Sequence, residues 1–299
     1  MTLHKIIFGD CKSMKEIGDE QVHLMITSPP YYNAPFDYPG LFNSYDEYLD
    51  LIRAVAKELK RVLCKGRIAC FVTQDVRIAG KLYPICSDII RIMINEGFIY
   101  RDRIIWRKPE GYIRISRRSG VVIQHPYPMY FYPDNIFEEI LIFQKGKFDY
   151  ASLKKMEKKI LEGSKIDLKK FNREKWYLSV WDITNVLPLE NRLEKGIAAF
   201  PDEIPRRLIS LFSFKGETVL DPFLGSGTTT KVSMELGRNS IGYEIDVELK
   251  PIILKKISQS TLLGDKVEVI VREDSKRLRT FLQKRILEQK SVTKKASKP

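Results

Sequence analysis

Two stretches of this 299-residue chain combine residue types at spacings that could do chemistry. The first is Thr27-Ser28-Pro29-Pro30-Tyr31-Tyr32-Asn33, which follows the apolar run Val22-His23-Leu24-Met25-Ile26. Consecutive prolines lose two backbone donors and fix φ, so a strand cannot continue through them. They leave a stiff turn at a strand's carboxyl end, where ligands bind in open α/β sheets. A hydroxyl, uncommitted carbonyls and a stacking ring in such a turn suit a flat, amine-bearing substrate. The second stretch is Asp221-Pro222-Phe223-Leu224-Gly225-Ser226-Gly227-Thr228-Thr229, between an expected strand (217–220) and a helical pattern (230–236). A strand, Gly-x-Gly and a helix start form the layout of a nucleotide-cofactor loop, where glycines let the backbone approach the ligand.

The kind of nucleotide is narrowed by what surrounds the glycines. No Gly-Lys-Ser/Thr is present, which excludes an ATP phosphate loop. The third glycine usual in dinucleotide folds is replaced by Thr230, and Asp221 would repel a pyrophosphate while welcoming an ammonium group. Glu244 ends the next strand pattern, about twenty residues on, where an acid can bind two ribose hydroxyls. A cofactor with an amino-acid end, a ribose and an adenine satisfies all three conditions, and S-adenosylmethionine is such a molecule.

The elements needed to position these loops are legible as an alternation. Strand patterns are expected at 6–8 (ending in Gly9-Asp10), 22–26, 68–72, 104–106, 137–144, 217–220 and 240–244. Helices are expected from Ser44 to Lys65-Gly66, with Ser44 and Glu47 as a capping box, and over 84–96 and 230–236. Strands alternating with helices indicate a parallel α/β sheet. No helix separates the runs at 104–106 and 137–144, so the latter is expected antiparallel at an edge.

Composition bounds the partners and the compartment. Lys+Arg number 51 against 38 Asp+Glu, a formal charge of +13 that points to a polyanion, nucleic acid ahead of membrane. Four cysteines without a CxxC pair and only three histidines give no metal site. No signal-peptide pattern and no apolar run of about 18 residues occurs, and the protein is expected in the cytoplasm. The long segment Glu110 to Asn135 interleaves Arg114, Arg117, Arg118, Gln124 and His125 with tyrosines including Tyr127, a pattern suited to phosphate contacts and base stacking. Lys147 to Lys175 is lysine-rich and weakly helical, and the tail beyond Lys284 is basic and expected to fray.

Taken together, Asp221-Pro222-Phe223-x-Gly225-Ser226-Gly227-Thr228-Thr229, Gly237-Arg238 leading to Ile241-Gly242-x-Glu244, and Thr27-Ser28-Pro29-Pro30-Tyr31 resemble the amino-methyltransferases that modify DNA. The order of the motifs is similar to that of the β group of the family. The resemblance runs from about Ile6 to Asp246 and implies a Rossmann-like α/β methyltransferase sheet, circularly permuted and mostly parallel with an antiparallel edge strand. It implies a catalytic half at 1–146, an inserted target-recognition region at 147–178, a cofactor-binding half at 179–262 and a C-terminal extension at 263–299. S-adenosylmethionine is the implied cofactor, held by Asp10, Thr27, Phe200, Asp221, Pro222, Phe223, Gly225, Ser226, Gly227, Thr228, Thr229 and Glu244. Ser28, Pro29, Pro30 and Tyr31 are the implied base pocket and catalytic turn. Duplex DNA is the implied partner, contacted by Arg114, Arg117, Arg118, Gln124, His125 and Tyr127, with a restriction endonuclease and a homodimer as companions the family allows. Family members with Ser-Pro-Pro-Tyr are mostly cytosine-N4 enzymes, so Ser28 favours cytosine over adenine-N6. Carbon-5 methylation needs a cysteine nucleophile, usually in a Pro-Cys pair, and none of the four cysteines follows a proline. RNA or protein-amide methylation, and a DNA-binding subunit without activity, are the other readings of the same motifs.

Overall fold

Chain-local patterning becomes one mixed sheet. The computed structural model describes residues 1–33, 40–109, 128, 133, 135–185, 200–260, 264–278 and 280–281. The first half runs β1 (Leu3–Phe8), β2 (Val22–Thr27), α1 (Tyr45–Val62), β3 (Leu63–Thr73), a small hairpin of β4 (Val76–Ile78) and β5 (Lys81–Tyr83), α2 (Ile85–Asn95), β6 (Ile99–Arg107) and β7 (Phe137–Gln144). The second half runs α3 (Lys158–Gly163), α4 (Leu168–Arg173), β8 (Val180–Asp182), α5 (Glu203–Phe212), β9 (Thr218–Asp221), α6 (Thr228–Glu235), β10 (Asn239–Glu244), α7 (Lys250–Ser258) and β11 (Lys266–Val271).

The main sheet has the order β11-β1-β10-β9-β2-β3-β7-β6-β8. Every neighbouring pair is parallel except the two made by β7, which runs antiparallel to both β3 and β6. The expected mostly parallel sheet with an antiparallel strand towards one edge is therefore present. That strand stands third from the edge, because β6 turns back onto it and β8 pairs beyond β6. β9, which carries the glycine loop, lies beside β2 near the middle of the sheet although it comes late in the chain, as a permuted order requires.

Period-two patterning puts the helices on both faces. Met25 of β2 and Phe71 of β3 pack with α1 and α2 on one face, while Leu24, Ile26 and Cys70 pack with α5 and α6 on the other. At the β1 end, Ile6 and Phe8 pack against Ile253 and Ile257 of α7. The Ser44 hydroxyl caps α1 by accepting from Glu47 N–H, and Glu47 reaches back to the Asn43 N–H rather than to Ser44 itself. The helix stops at Val62, before Lys65-Gly66, since β3 starts at once and Gly66 (φ +82°) lies within the strand, where a Cβ would meet the Phe148 backbone. Among the described residues no helix is long and apolar enough to cross a membrane.

Candidate active site

Four parallel strands, β1, β10, β9 and β2, end on the same side of the sheet and each delivers a polar residue there. The chain from β9 proceeds through α6 to one side, and that from β2 through α1 to the other, so their shared end is a topological switch point, where α/β sheets bind ligands. A cavity of about 330 Å³ opens at this place. It is lined by Asp10 after β1, by the Ser28-Pro29-Pro30-Tyr31 turn after β2, by Asp221, Pro222, Phe223, Gly225, Ser226 and Thr228 of the glycine loop, by Glu244 and by Phe200. The motifs singled out in the sequence, up to 234 positions apart, thus face one space.

Asp221 is the best-held group. Its Oδ1 accepts from Thr27 Oγ1 (2.6 Å) and Phe223 N–H (3.1 Å), and its Oδ2 from Thr229 Oγ1 (2.6 Å). Burial pushes the carboxyl up to about 6, against the pull of those donors. Thr27 and Thr229 are not among the cavity's lining residues, and neither is Gly227. They act from behind: the two hydroxyls fix Asp221, and Gly227 caps α6 in the left-handed region (φ +89°) that glycine tolerates.

Glu244 is 7% exposed and accepts from Gly225 N–H (2.8 Å) and Asp246 N–H (2.9 Å). Burial raises it to about 8, and the nearby Asp246 and Asp221 charges act the same way. Asp10 is more open; its carboxylate accepts from Lys12 N–H (2.9 Å) and pairs with the Lys12 ammonium (3.1 Å).

The double-proline turn is anchored on both sides. Tyr32 is packed among Phe42, Tyr45, Tyr48 and Tyr83, and Asn33 clasps Phe42 through two hydrogen bonds, Nδ2 to the Phe42 carbonyl (2.7 Å) and Phe42 N–H to Oδ1 (2.9 Å). Tyr31, facing the cavity, donates its hydroxyl to Glu138 Oε2 (2.7 Å), and the other Glu138 oxygen pairs with Lys108 Nζ (2.5 Å). Glu138 and Lys108 were not singled out by sequence reasoning, because they meet only when β6 and β7 pair.

Three further contributors escaped it. Lys256 of α7 donates to Ser226 Oγ (2.7 Å) and Thr228 Oγ1 (2.9 Å), so a cation backs two cavity hydroxyls. Lys276 and Leu278, from the chain after β11, also line the cavity. The alternation of valines in Lys266–Val271 is the signal that could have revealed β11 and drawn attention to the residues after it. The six side chains expected at DNA (Arg114, Arg117, Arg118, Gln124, His125 and Tyr127) lie outside the described residues.

The chain is similar to known proteins over most of its length. The N6/N4 family model described as DNA methylase matches residues 22–255. The type II methyltransferase M.MjaI of Methanocaldococcus jannaschii is 37% identical over 292 residues, covering 86% of this chain and 91% of its own. The DNA adenine methyltransferase YhdJ of Escherichia coli is 27% identical, over 84% of this chain and 82% of its own. Among solved structures, TTHA0409 of Thermus thermophilus, complexed with S-adenosyl-L-methionine, superposes with a TM-score of 0.70 at 27% identity, over 90% of this chain and 98% of that one. The chain belongs to the N6/N4 DNA methylase family.

Proposed function

We propose that this protein is a site-specific methyltransferase of the exocyclic N4 amine of cytosine in duplex DNA, with S-adenosylmethionine as methyl donor. The observation that carries the reading is the shared cavity, in which the Ser28-Pro29-Pro30-Tyr31 turn faces the glycine loop and Glu244. The residues fit the cofactor: a buried carboxylate (Asp221) for an ammonium, two hydroxyls backed by Lys256 for a carboxylate, Glu244 for a ribose and Asp10 at the adenine side. Phe200, Pro222 and Phe223 supply apolar walls, and Gly225 lets the backbone approach. When bound, S-adenosylmethionine would supply a methyl group activated on a sulfonium, the N–C bond replacing an S–C bond whose electron pair stays on sulfur and the displaced amine proton leaving to water.

The amine of a nucleobase is a poor nucleophile, because its lone pair is delocalised into the ring. Ser28 Oγ and the Pro29 carbonyl would accept from its two N–H groups and concentrate that lone pair on nitrogen. Placement of the amine then supplies most of the acceleration. Tyr31 offers a ring whose hydroxyl is tied to Glu138, a fixed platform for a base swung out of the duplex. Lys158, Lys159, Lys169 and Lys170 on α3 and α4 suit phosphate contacts, as do the arginines of the 110–135 segment. The type II designation of M.MjaI supports a restriction endonuclease as companion, and a DNA substrate supports action in the cytoplasm.

Adenine-N6 is the second reading, favoured by the likeness to YhdJ. Ser28→Ala tests the catalytic assignment common to both. Turnover on unmethylated DNA should fall about 100-fold, the scale of a misplaced reacting group, with cofactor affinity within about twofold. Equal loss of both would remove Ser28 from the catalytic role.

A further inference from the structure

The chain beyond β11 does more than extend the sheet. Pairing with β1 continues to the end of the strand, where Arg272 N–H donates to the Phe8 carbonyl (2.8 Å). The Arg272 guanidinium then holds the carbonyls of Asp10 (3.3 Å) and Ser13 (2.8 Å), fixing the loop after β1. From there the chain crosses to the segment after Glu244. Lys276 N–H donates to the Ile245 carbonyl (2.8 Å), Val247 N–H to the Lys276 carbonyl (2.9 Å), and Leu278 N–H to Asp246 Oδ1 (3.3 Å). Thr280 closes the crossing on the Glu248 carboxylate, with Oγ1 to Oε1 at 2.6 Å. The strap is thus tied at Lys276, Leu278 and Thr280 to residues 245–248, next to the proposed ribose acid, and Leu278 reaches the cavity wall while only 4% exposed.

The position of this wall defines what it can touch. Asp221 and the glycine loop occupy the β9 side, which takes the amino-acid end of S-adenosylmethionine. Glu244 ends the neighbouring β10, so a base attached to the ribose extends away from β9, towards β1 and the crossing chain. A purine needs apolar surface on its faces, and Leu278 and Ile245, from the two segments joined at this crossing, are aliphatic residues of the cavity wall. We propose that residues 272–278 are part of the cofactor site and that Leu278 forms the apolar wall against the adenine ring. The proposal rests on the S-adenosylmethionine reading of the cavity.

Binding of S-adenosylhomocysteine and of adenosine alone, by titration calorimetry on the full chain, tests it without any need for activity. Leu278→Ala should weaken both ligands about tenfold, the loss expected when roughly two buried methylenes leave a ligand contact. Leu278→Trp should abolish adenosine binding by filling the space, and Leu278→Met should restore wild-type affinity within about twofold. Thermal melts of the free proteins accompany each titration; if Leu278→Ala does not fold, the Trp and Met variants decide. Wild-type affinity in a folded Leu278→Trp variant would overturn the proposal while leaving the cofactor reading intact. Absence of S-adenosylhomocysteine binding to the wild type would overturn the cofactor reading itself, and the proposal with it.

Discussion

Replacing Glu138, which holds Tyr31 of the double-proline turn, should destabilise the chain. Glu138 is 7% exposed and the Lys108 side chain 10%, and the ammonium lies 5.0 Å from the Trp106 ring. Removing one member of such a pair leaves a buried charge uncompensated, which costs about 3–5 kcal/mol. Glu138→Ala also takes an acceptor from the Tyr31 hydroxyl, but the two losses share one side chain and do not simply add. Because Lys108 sits at the end of β6 with some access to water, we expect a value near the lower bound, about 3 kcal/mol. Replacing both partners by apolar groups of similar shape, Lys108→Met with Glu138→Met, should recover most of this, since an ion pair and an apolar contact of equal volume are close in stability. Urea unfolding followed by tryptophan fluorescence measures all three proteins. In the same variants, a tyrosine ring released from Glu138 should lower the single-turnover methylation rate and leave S-adenosylhomocysteine affinity unchanged. A cost below about 1 kcal/mol for Glu138→Ala, or a double variant no more stable than Glu138→Ala, would refute the reasoning.

Two more outcomes are expected from the same geometry. Burial raises Asp221 to about 6 and Glu244 to about 8, so between pH 4 and 8 these two groups hold more protons in the folded chain than in the unfolded one. The stability they contribute is complete below the ordinary carboxylate range and is lost as pH rises through those values. Cofactor hydroxyls and ammonium favour the charged carboxylates, so affinity for S-adenosylhomocysteine should rise from pH 6 to 8. Binding at pH 7 should release about one proton, read by calorimetry in buffers of different ionisation enthalpy; proton uptake would contradict it. Gly227→Ala should destabilise the chain by about 1–2 kcal/mol through its left-handed backbone, although the added Cβ comes no closer than 3.4 Å to Ile253.

What could be read from the sequence was local. Proline and glycine restrict the backbone where they stand, so the turn at Pro29-Pro30 and the loop at Gly225 and Gly227 were visible without a partner. Asp10, Asp221 and Glu244 were recognisable because each ends a run of strand-like residues. Properties that depend on which strands become neighbours were not visible. Thr27 reaches Asp221 across 194 positions only because β2 and β9 lie side by side, whereas Thr229 reaches it from eight residues on. Glu138 reaches Tyr31 across 107 positions of sequence, a pairing no periodicity encodes. β11 finds β1 from the other end of the chain, and with it comes Leu278. The antiparallel strand was foreseen, but its place inside the edge depends on β8 pairing beyond β6, a neighbour that a strand-like pattern over 176–183 does not name.

The most direct test is the identity of the product. Unmethylated duplex DNA incubated with the protein and S-adenosylmethionine bearing a deuterated methyl group would be digested to nucleosides and analysed by mass spectrometry. The account predicts the label on N4 of cytosine. Label on N6 of adenine would keep the transfer chemistry and contradict the base choice assigned to Ser28. Label on carbon 5 of cytosine, or none in DNA from a protein that binds the cofactor, would contradict the account.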